Sequence, residues 1–276
     1  MAFPTARSYV SGAETVNTPT WDVNYPGASP PTGQTSAILD GGGSYMEAGD
    51  LALWACAADG SARSFSNFDT TLTWTSLKAA LSDGSVSLNI WYRILTGSET
   101  TNGQIWQTGS GLTCSGSEQG PWRMTIFKNF FGSGGITVST GATGATANPD
   151  PDEVSWGWTA DSLVRCMWAS DASRATTAYP SGYTINQFDD NSGGGAGAAL
   201  GSAAAQFTSS PQNPGQATID TSDGWAAATV ALRGVADAYQ PRYGFVNYQN
   251  PGVFAKAWQR SRGILVPKLW TPEAVI

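Results

Sequence analysis

The sequence, 276 residues long, contains no histidine. That absence excludes Ser-His-Asp and Cys-His nucleophile activation, His-liganded zinc and the two-histidine facial-triad irons, all of which need an imidazole. Charge is scarce as well. Charged residues make up 13% of the chain, about half the usual quarter, and four of them are lysines. The three cysteines, Cys56, Cys114 and Cys166, are far apart and form no C-x-x-C pair, so neither a zinc site nor a redox dithiol is indicated. Cys56 and Cys166 lie in apolar, strand-like segments and read as small buried hydrophobes. No apolar run approaches the ~18 residues of a membrane span. Residues Met1–Arg7 lack the basic-then-apolar order of a signal peptide. The expectation is a soluble protein made in a cytoplasm, without membrane insertion.

Against these deficits stand 33 glycines, 15 prolines and 12 tryptophans in a chain that is 41% hydrophobic. Such a chain can bury a sizeable core and is not disordered as a whole. Its net charge of −7 and pI near 4.5 argue against a nucleic-acid partner, because phosphate binding needs clustered Lys and Arg. The charge is unevenly placed: residues 1–235 carry a net of −10 and residues 236–276 a net of +3. Two readings of the basic tail stand. It docks on something acidic, a second copy of the body included, or it is a solvated basic helix on the same domain.

The local pattern has period two. Val86, Leu88, Ile90, Tyr92 and Ile94 alternate with Ser87, Asn89, Trp91 and Arg93. Val164, Cys166 and Trp168 repeat the pattern, as do Ala226, Ala228, Val230 and Leu232. Such alternation predicts strands. Further strands are expected at 16–25, 49–57, 68–75, 122–128, 136–139, 154–158, 183–188 and 216–219. Asp40-Gly41, Asp59-Gly60, Asp83-Gly84 and Asp223-Gly224 supply turn signals between them. The fold class this predicts is all-β: an antiparallel, jelly-roll-like β-sandwich body over 1–235, then a C-terminal extended arm over 236–276. Residues 76–82 read as a helical turn, and the alanine-rich run 197–205 as a strand. In the arm, Pro251 and Gly263 punctuate a short helix whose stripe contains Val253, Phe254, Ala257 and Trp258.

Few residues present themselves for chemistry. The carboxylate pairs Glu99 with Glu118 and Asp152 with Glu153 are the candidates for glycoside hydrolysis, which needs two acids about 5–10 Å apart. They lie in loop-like segments without an E-x-D-x-E strand, so no catalytic residue is assigned. Asn148–Glu153 and Asp189–Ser192 concentrate oxygen ligands suited to a structural calcium, though not at EF-hand spacing. No other cofactor is indicated, and Gly193–Gly195 lack the G-K-[ST] of a phosphate loop. Trp156 and Trp158, two apart, share a face. Trp91 should face outward if Ile90 faces inward, which makes it the candidate contact for a glycan or a protein partner.

Four segments resemble β-sandwich proteins encoded in tailed-phage structural gene clusters. They are Gly49-Asp50-Leu51-Ala52-Leu53-Trp54 with Ala57-Ala58-Asp59-Gly60; Ile90-Trp91-Tyr92-Arg93-Ile94 with Gly97-Ser98-Glu99; Tyr179-Pro180-Ser181-Gly182-Tyr183; and Trp225–Gly234. The resemblance covers roughly residues 1–235 and implies a virion component, with no catalysis to transfer. The implied partners are other capsid or tail proteins and copies of the chain itself, a trimer by analogy with virion symmetry. The implied place is the virion, assembled in the host cytoplasm. Arg242, Tyr243, Phe254, Trp258, Arg260, Arg262 and Trp270 are then the anchoring residues of the arm. A carbohydrate-binding module for host-surface recognition is the alternative, and a glycoside hydrolase the remote one.

Overall fold

The computed structural model describes residues 2–21, 35–41, 45–66, 74–97, 112–192, 197–235, 258–261 and 264–267. The chain divides into two compact units, Met1–Asp237 and Ala238–Ile276. In the first unit, seven strands build one sheet: β1 (Thr5–Trp21), β2 (Thr35–Ile38), β3 (Leu51–Asp59), β4 (Phe65–Ser66), β5 (Thr75–Ser82), β6 (Val86–Ile94) and β7 (Leu112–Lys128). Their order is β2-β1-β7-β3-β6-β5, with β4 paired to the start of β7. A second sheet uses β8 (Ile136–Val138), β9 (Ala142–Gly144) and β10 (Ser162–Asp171). It is completed by β12 (Ile185–Asn191), β13 (Ala198–Phe207) and β15 (Trp225–Arg233), in the order β12-β13-β10-β15. Both β8 and β9 pair with the free edge of β15. A small ribbon joins β11 (Thr176–Ala178) to β14 (Thr218–Ile219).

Every one of these pairings is antiparallel, and the protein is an all-β sandwich. Among the described strands the chain passes between the sheets once, from β7 to β8, so each half of the sequence builds its own sheet. This is a simpler route than the interlocked Greek keys of a jelly roll. Among the described residues no helix is long and apolar enough to cross a membrane.

The alternation read from the sequence sorts side chains to three cores rather than one. Leu51, Leu53, Ala55 and Ala57 of β3 meet Leu163, Met167, Ala226, Val230 and Leu232 in the space between the sheets. The other face of β3, with Trp54 and Cys56, packs under Trp21, Phe65, Trp74 and Trp122. Phe65 sits edge-on to both Trp21 (4.8 Å) and Trp54 (5.2 Å). Val164, Cys166 and Trp168 of β10 face a third cluster with Tyr183, Ile219 and Trp225. Strands buried on both faces need no polar side, which explains why so few charges suffice. On the second sheet small residues make room for indoles: Trp168 lies on Gly201 across the β10–β13 pair, and Trp225 on Gly144 across the β15–β9 pair.

Two helical expectations are corrected. Residues 76–82 belong to the edge strand β5, whose register along β6 shifts between Ser76 and Lys78 and again between Lys78 and Leu81. At the irregularity Ala80 has φ 49° and donates its amide to Oδ1 of Asn89 (2.8 Å). Pairing with β6 overrides the helix propensity of Lys-Ala-Ala-Leu, and the bulges blunt an edge that would otherwise invite pairing. In the arm, β16 (Trp258–Ser261) pairs with β17 (Ile264–Pro267) as an antiparallel hairpin, so this part of the expected Pro251–Gly263 helix is strand. Residues 251–257, 262 and 263 lie outside the described residues. The alanine-rich run is strand β13, as expected, and lies between β10 and β12.

Candidate functional site

On the second half of the body an open groove of about 450 Å³ is bordered by residues 142–153, the turn around Asn213–Gln216 and the start of β15. Its wall is a stretch without regular structure that is nonetheless tightly held. Ile219 donates its amide to Ala147 O and Ala217 to Pro149 O, both at 2.9 Å. Val154 and Gln212 exchange both amide bonds at 2.9 Å, and the Thr229 hydroxyl donates to Asp152 O at 2.7 Å. Pro149 and Pro151, both buried, fix φ on either side of Asp150. The segment therefore presents Asp150, Asp152 and Glu153 from a rigid support. Facing them, Gln216 donates Nε2 to Oδ2 of Asp150 (3.3 Å), and Asn213 accepts the Gly215 amide on Oδ1 (3.1 Å). Trp225 closes one side, its indole N–H donated to Oγ1 of Thr146 (3.2 Å).

The two loops with calcium-like composition have separate fates. Asp189 accepts the amide and the hydroxyl of Thr176 (2.8 and 3.0 Å), and Asp190 pairs with Arg123 (3.3 Å). Both acids of that loop are thus engaged within the fold. Asn148–Glu153 forms the groove wall instead. Among the described residues no group of three or more His, Cys, Asp or Glu is placed to hold a metal ion. Of the proposed acid pairs, Glu118 is ion-paired with Arg63, and Glu99 lies outside the described residues.

Trp91 is on the outward face of the first sheet, opposite Trp54, as the alternation with Ile90 requires. It is half-buried against the Tyr45- and Trp54-containing cluster, so it is part of a covered face rather than a free platform. Trp156 and Trp158 stack at 6.0 Å with planes 24° apart, packed on the third cluster. Trp258 and Arg260 belong to strand β16 of the arm hairpin, while Arg242, Tyr243, Phe254, Arg262 and Trp270 lie outside the described residues. The groove residues Asn213 and Gln216 carried no signal in the sequence beyond the turn formers Pro214-Gly215 between them. Trp225 was legible only as a strand residue.

The segments that resemble phage sandwich proteins turn out to serve the framework. Gly49 has φ +88°, and Asp50 accepts the Glu47 amide (2.8 Å) while pairing with Nε of Arg7 (2.7 Å), tying the turn to β1. Gly60, at φ +83°, lies against the Arg63 guanidinium that pairs with Glu118. Pro180–Tyr183 is a tight turn closed by the Tyr183 amide on Pro180 O (3.1 Å), with Gly182 in the positive-φ position that a type II turn demands. Trp225–Arg233 is β15, bonded on both edges. No protein-family model, curated protein or solved structure matches the chain.

The buried acids give the body an unusual pH response. Asp59, Asp171 and Asp189 hold their protons above the ordinary value of 3.8, chiefly because burial penalises the carboxylate. Below these raised values, and until the unfolded chain also protonates near 3.8, the native state binds more protons than the unfolded one. The penalty is present in full at neutral pH and lifts as pH falls, so stability rises on mild acidification. The melting temperature is expected to rise as pH is lowered from 7.5 toward the ordinary carboxylate value of 3.8 at matched ionic strength. A melting temperature that falls throughout that range would refute this reading of the buried acids.

Proposed function

We propose that the chain is a non-enzymatic structural protein of a tailed-phage particle, a β-sandwich that decorates or builds the capsid or tail and is anchored through residues 236–276. The reading rests on the four resembling segments. Each of them supplies turns, ion pairs or paired strands of the sandwich, which is what a family defined by its scaffold would share. Composition supports the same role. A body that is buried on both faces of both sheets, with few lysines and many small residues, suits a rigid part used in many copies. The partners on this reading are other virion proteins and copies of the chain. The arm, net +3 against a body of net −10, is the segment whose charge suits docking on an acidic surface.

Mass spectrometry of purified particles tests the reading directly. The full chain is expected in stoichiometric, repeated copies, and a chain ending at Val235 is expected to stay soluble and folded yet be missing from particles. Absence of the full chain from particles would sink the structural role. Normal incorporation of the truncated chain would sink the anchoring arm alone.

A further inference from the structure

We infer that the space between the two sheets beside Arg165 binds a small monovalent anion, chloride or bromide, a role independent of the chain's place in a particle. The site follows from strand register. Arg123 lies opposite Ala55 in the β7–β3 pair and Asp190 opposite Leu200 in the β12–β13 pair, so both share the faces that close on the central core. Arg165 enters the same space from β10, two residues from both Leu163 and Met167. Two guanidiniums thus meet one carboxylate. Asp190 pairs with Arg123 (3.3 Å) and is, among the described residues, the one acid whose charge acts on either cation. In halide-free solution the cluster is left at a charge of about +1, around a residue that is 2% exposed.

Arg165 is short of acceptors as well as counter-charge. Its Nε donates to Oγ of Ser202 (2.8 Å), but its buried Nη1 has no acceptor among the described residues. The nearest side chains facing the same space are Ser202 and Ala204 on β13 and Ala228 and Val230 on β15, and none of them brings a second oxygen. The rings of Phe188 (5.0 Å) and Phe127 (5.6 Å) attract the cation but carry no charge. Buried donors are almost always paired, and a buried cation without a counter-charge is costly. A monovalent anion on Nη1 supplies both the acceptor and the charge. A dianion would overshoot the single excess charge, and a neutral ligand would leave it in place. Solvent reaches the cluster past Asp190 and Arg123, whose side chains are 27% and 12% exposed. That opening is the route of entry.

The test titrates the full chain with sodium chloride in place of sodium gluconate at constant ionic strength, read by chloride NMR line broadening and by thermal melts. Wild type is expected to broaden the chloride signal saturably, to lose that broadening when bromide competes, and to melt higher in chloride than in gluconate. Arg165→Met, which removes the orphan donor and the excess charge together, should abolish both responses. Lys78→Met removes the same charge from the edge strand β5 and should keep them. Asp190→Asn withdraws the neighbouring negative charge with little change of shape, and should tighten chloride binding by at least about tenfold. Equal melting in chloride and gluconate, a chloride response that survives Arg165→Met, or binding that fails to tighten in Asp190→Asn would each overturn the proposal. Detection of the chain in particles is a separate measurement, so failure of the anion site and failure of the structural role are distinguishable.

Discussion

Gly120→Ala is expected to destabilise the body by more than about 3 kcal/mol and to lower its melting temperature by roughly 6–12 °C. Gly120 lies in β7, opposite Glu14 of β1, just beyond the point where β3 and β7 end their pairing at Cys56 and Trp122. A Cβ there would land on the carbonyl oxygen of Ala57 and would sit 3.1 Å from the Trp21 ring. The obstacle is backbone, and backbone of a strand that is buried on both faces. It cannot swing aside like the end of a lysine, so β3 and β7 must separate or β7 must shift its register. Gly157→Ala is the matched control, because nothing lies within 4 Å of the Cβ it would introduce. It should stay within about 0.5 kcal/mol of wild type. Thermal melts of the two variants decide the matter, and equal melting temperatures would show that the approach of β7 to Ala57 is not a constraint.

The same close approach shows why some of the fold was legible in the sequence and some was not. Strands β3, β6, β10 and β15 are readable because alternation survives even where both faces are buried: Leu51, Leu53 and Ala55 go one way, Ala52, Trp54 and Cys56 the other. The first residues of β1 and β7 were not readable. Thr5–Glu14 and Leu112–Gly120 are rich in Ser, Thr, Gly and Glu, and they are strands because each pairs with the other half of the partner strand, Thr5 to Ala13 with Lys128 to Pro121 and Leu112 to Glu118 with Trp21 to Thr18. Residues 76–82 illustrate the reverse error, where local propensity favours a helix and an edge position decides for a bulged strand. The groove was half legible. Its acids stood out as Asn148–Glu153, but Gln216, Asn213 and Trp225 come from distant parts of the chain, and only tertiary contact assembles them.

A second large effect is expected inside the central core, and its sign depends on which partner is removed. Arg165 lies two residues from both Leu163 and Met167 and shares their face, so β10 drives a guanidinium into the space between the sheets, where the residue is 2% exposed. It donates Nε to Oγ of Ser202 (2.8 Å), and its charge lies 5.0 Å from the Phe188 ring. Arg123 stands nearby, over the rings of Tyr9 (3.9 Å) and Phe188 (4.1 Å), and pairs with Asp190 (3.3 Å). Burial, reinforced by the charge of Arg123, pulls the Arg165 guanidinium down to about 9. It is still protonated at neutral pH, so the core holds two cations beside one carboxylate. Asp190→Ala leaves both without a counter-charge and should cost about 3 kcal/mol, the low end for a broken buried pair because Asp190 retains some contact with water. Arg165→Met, of similar length and without charge, removes both the burial penalty and the repulsion from Arg123. It should be neutral or stabilising by up to about 2 kcal/mol, even after Ser202 loses its partner. The decisive variant carries both changes. With a single cation left, Asp190→Ala should cost at least about 1 kcal/mol less in the Arg165→Met background than in wild type. Additive losses in denaturant melts would mean that Asp190 acts on Arg123 alone, and that aromatic faces and Ser202 suffice to hold Arg165.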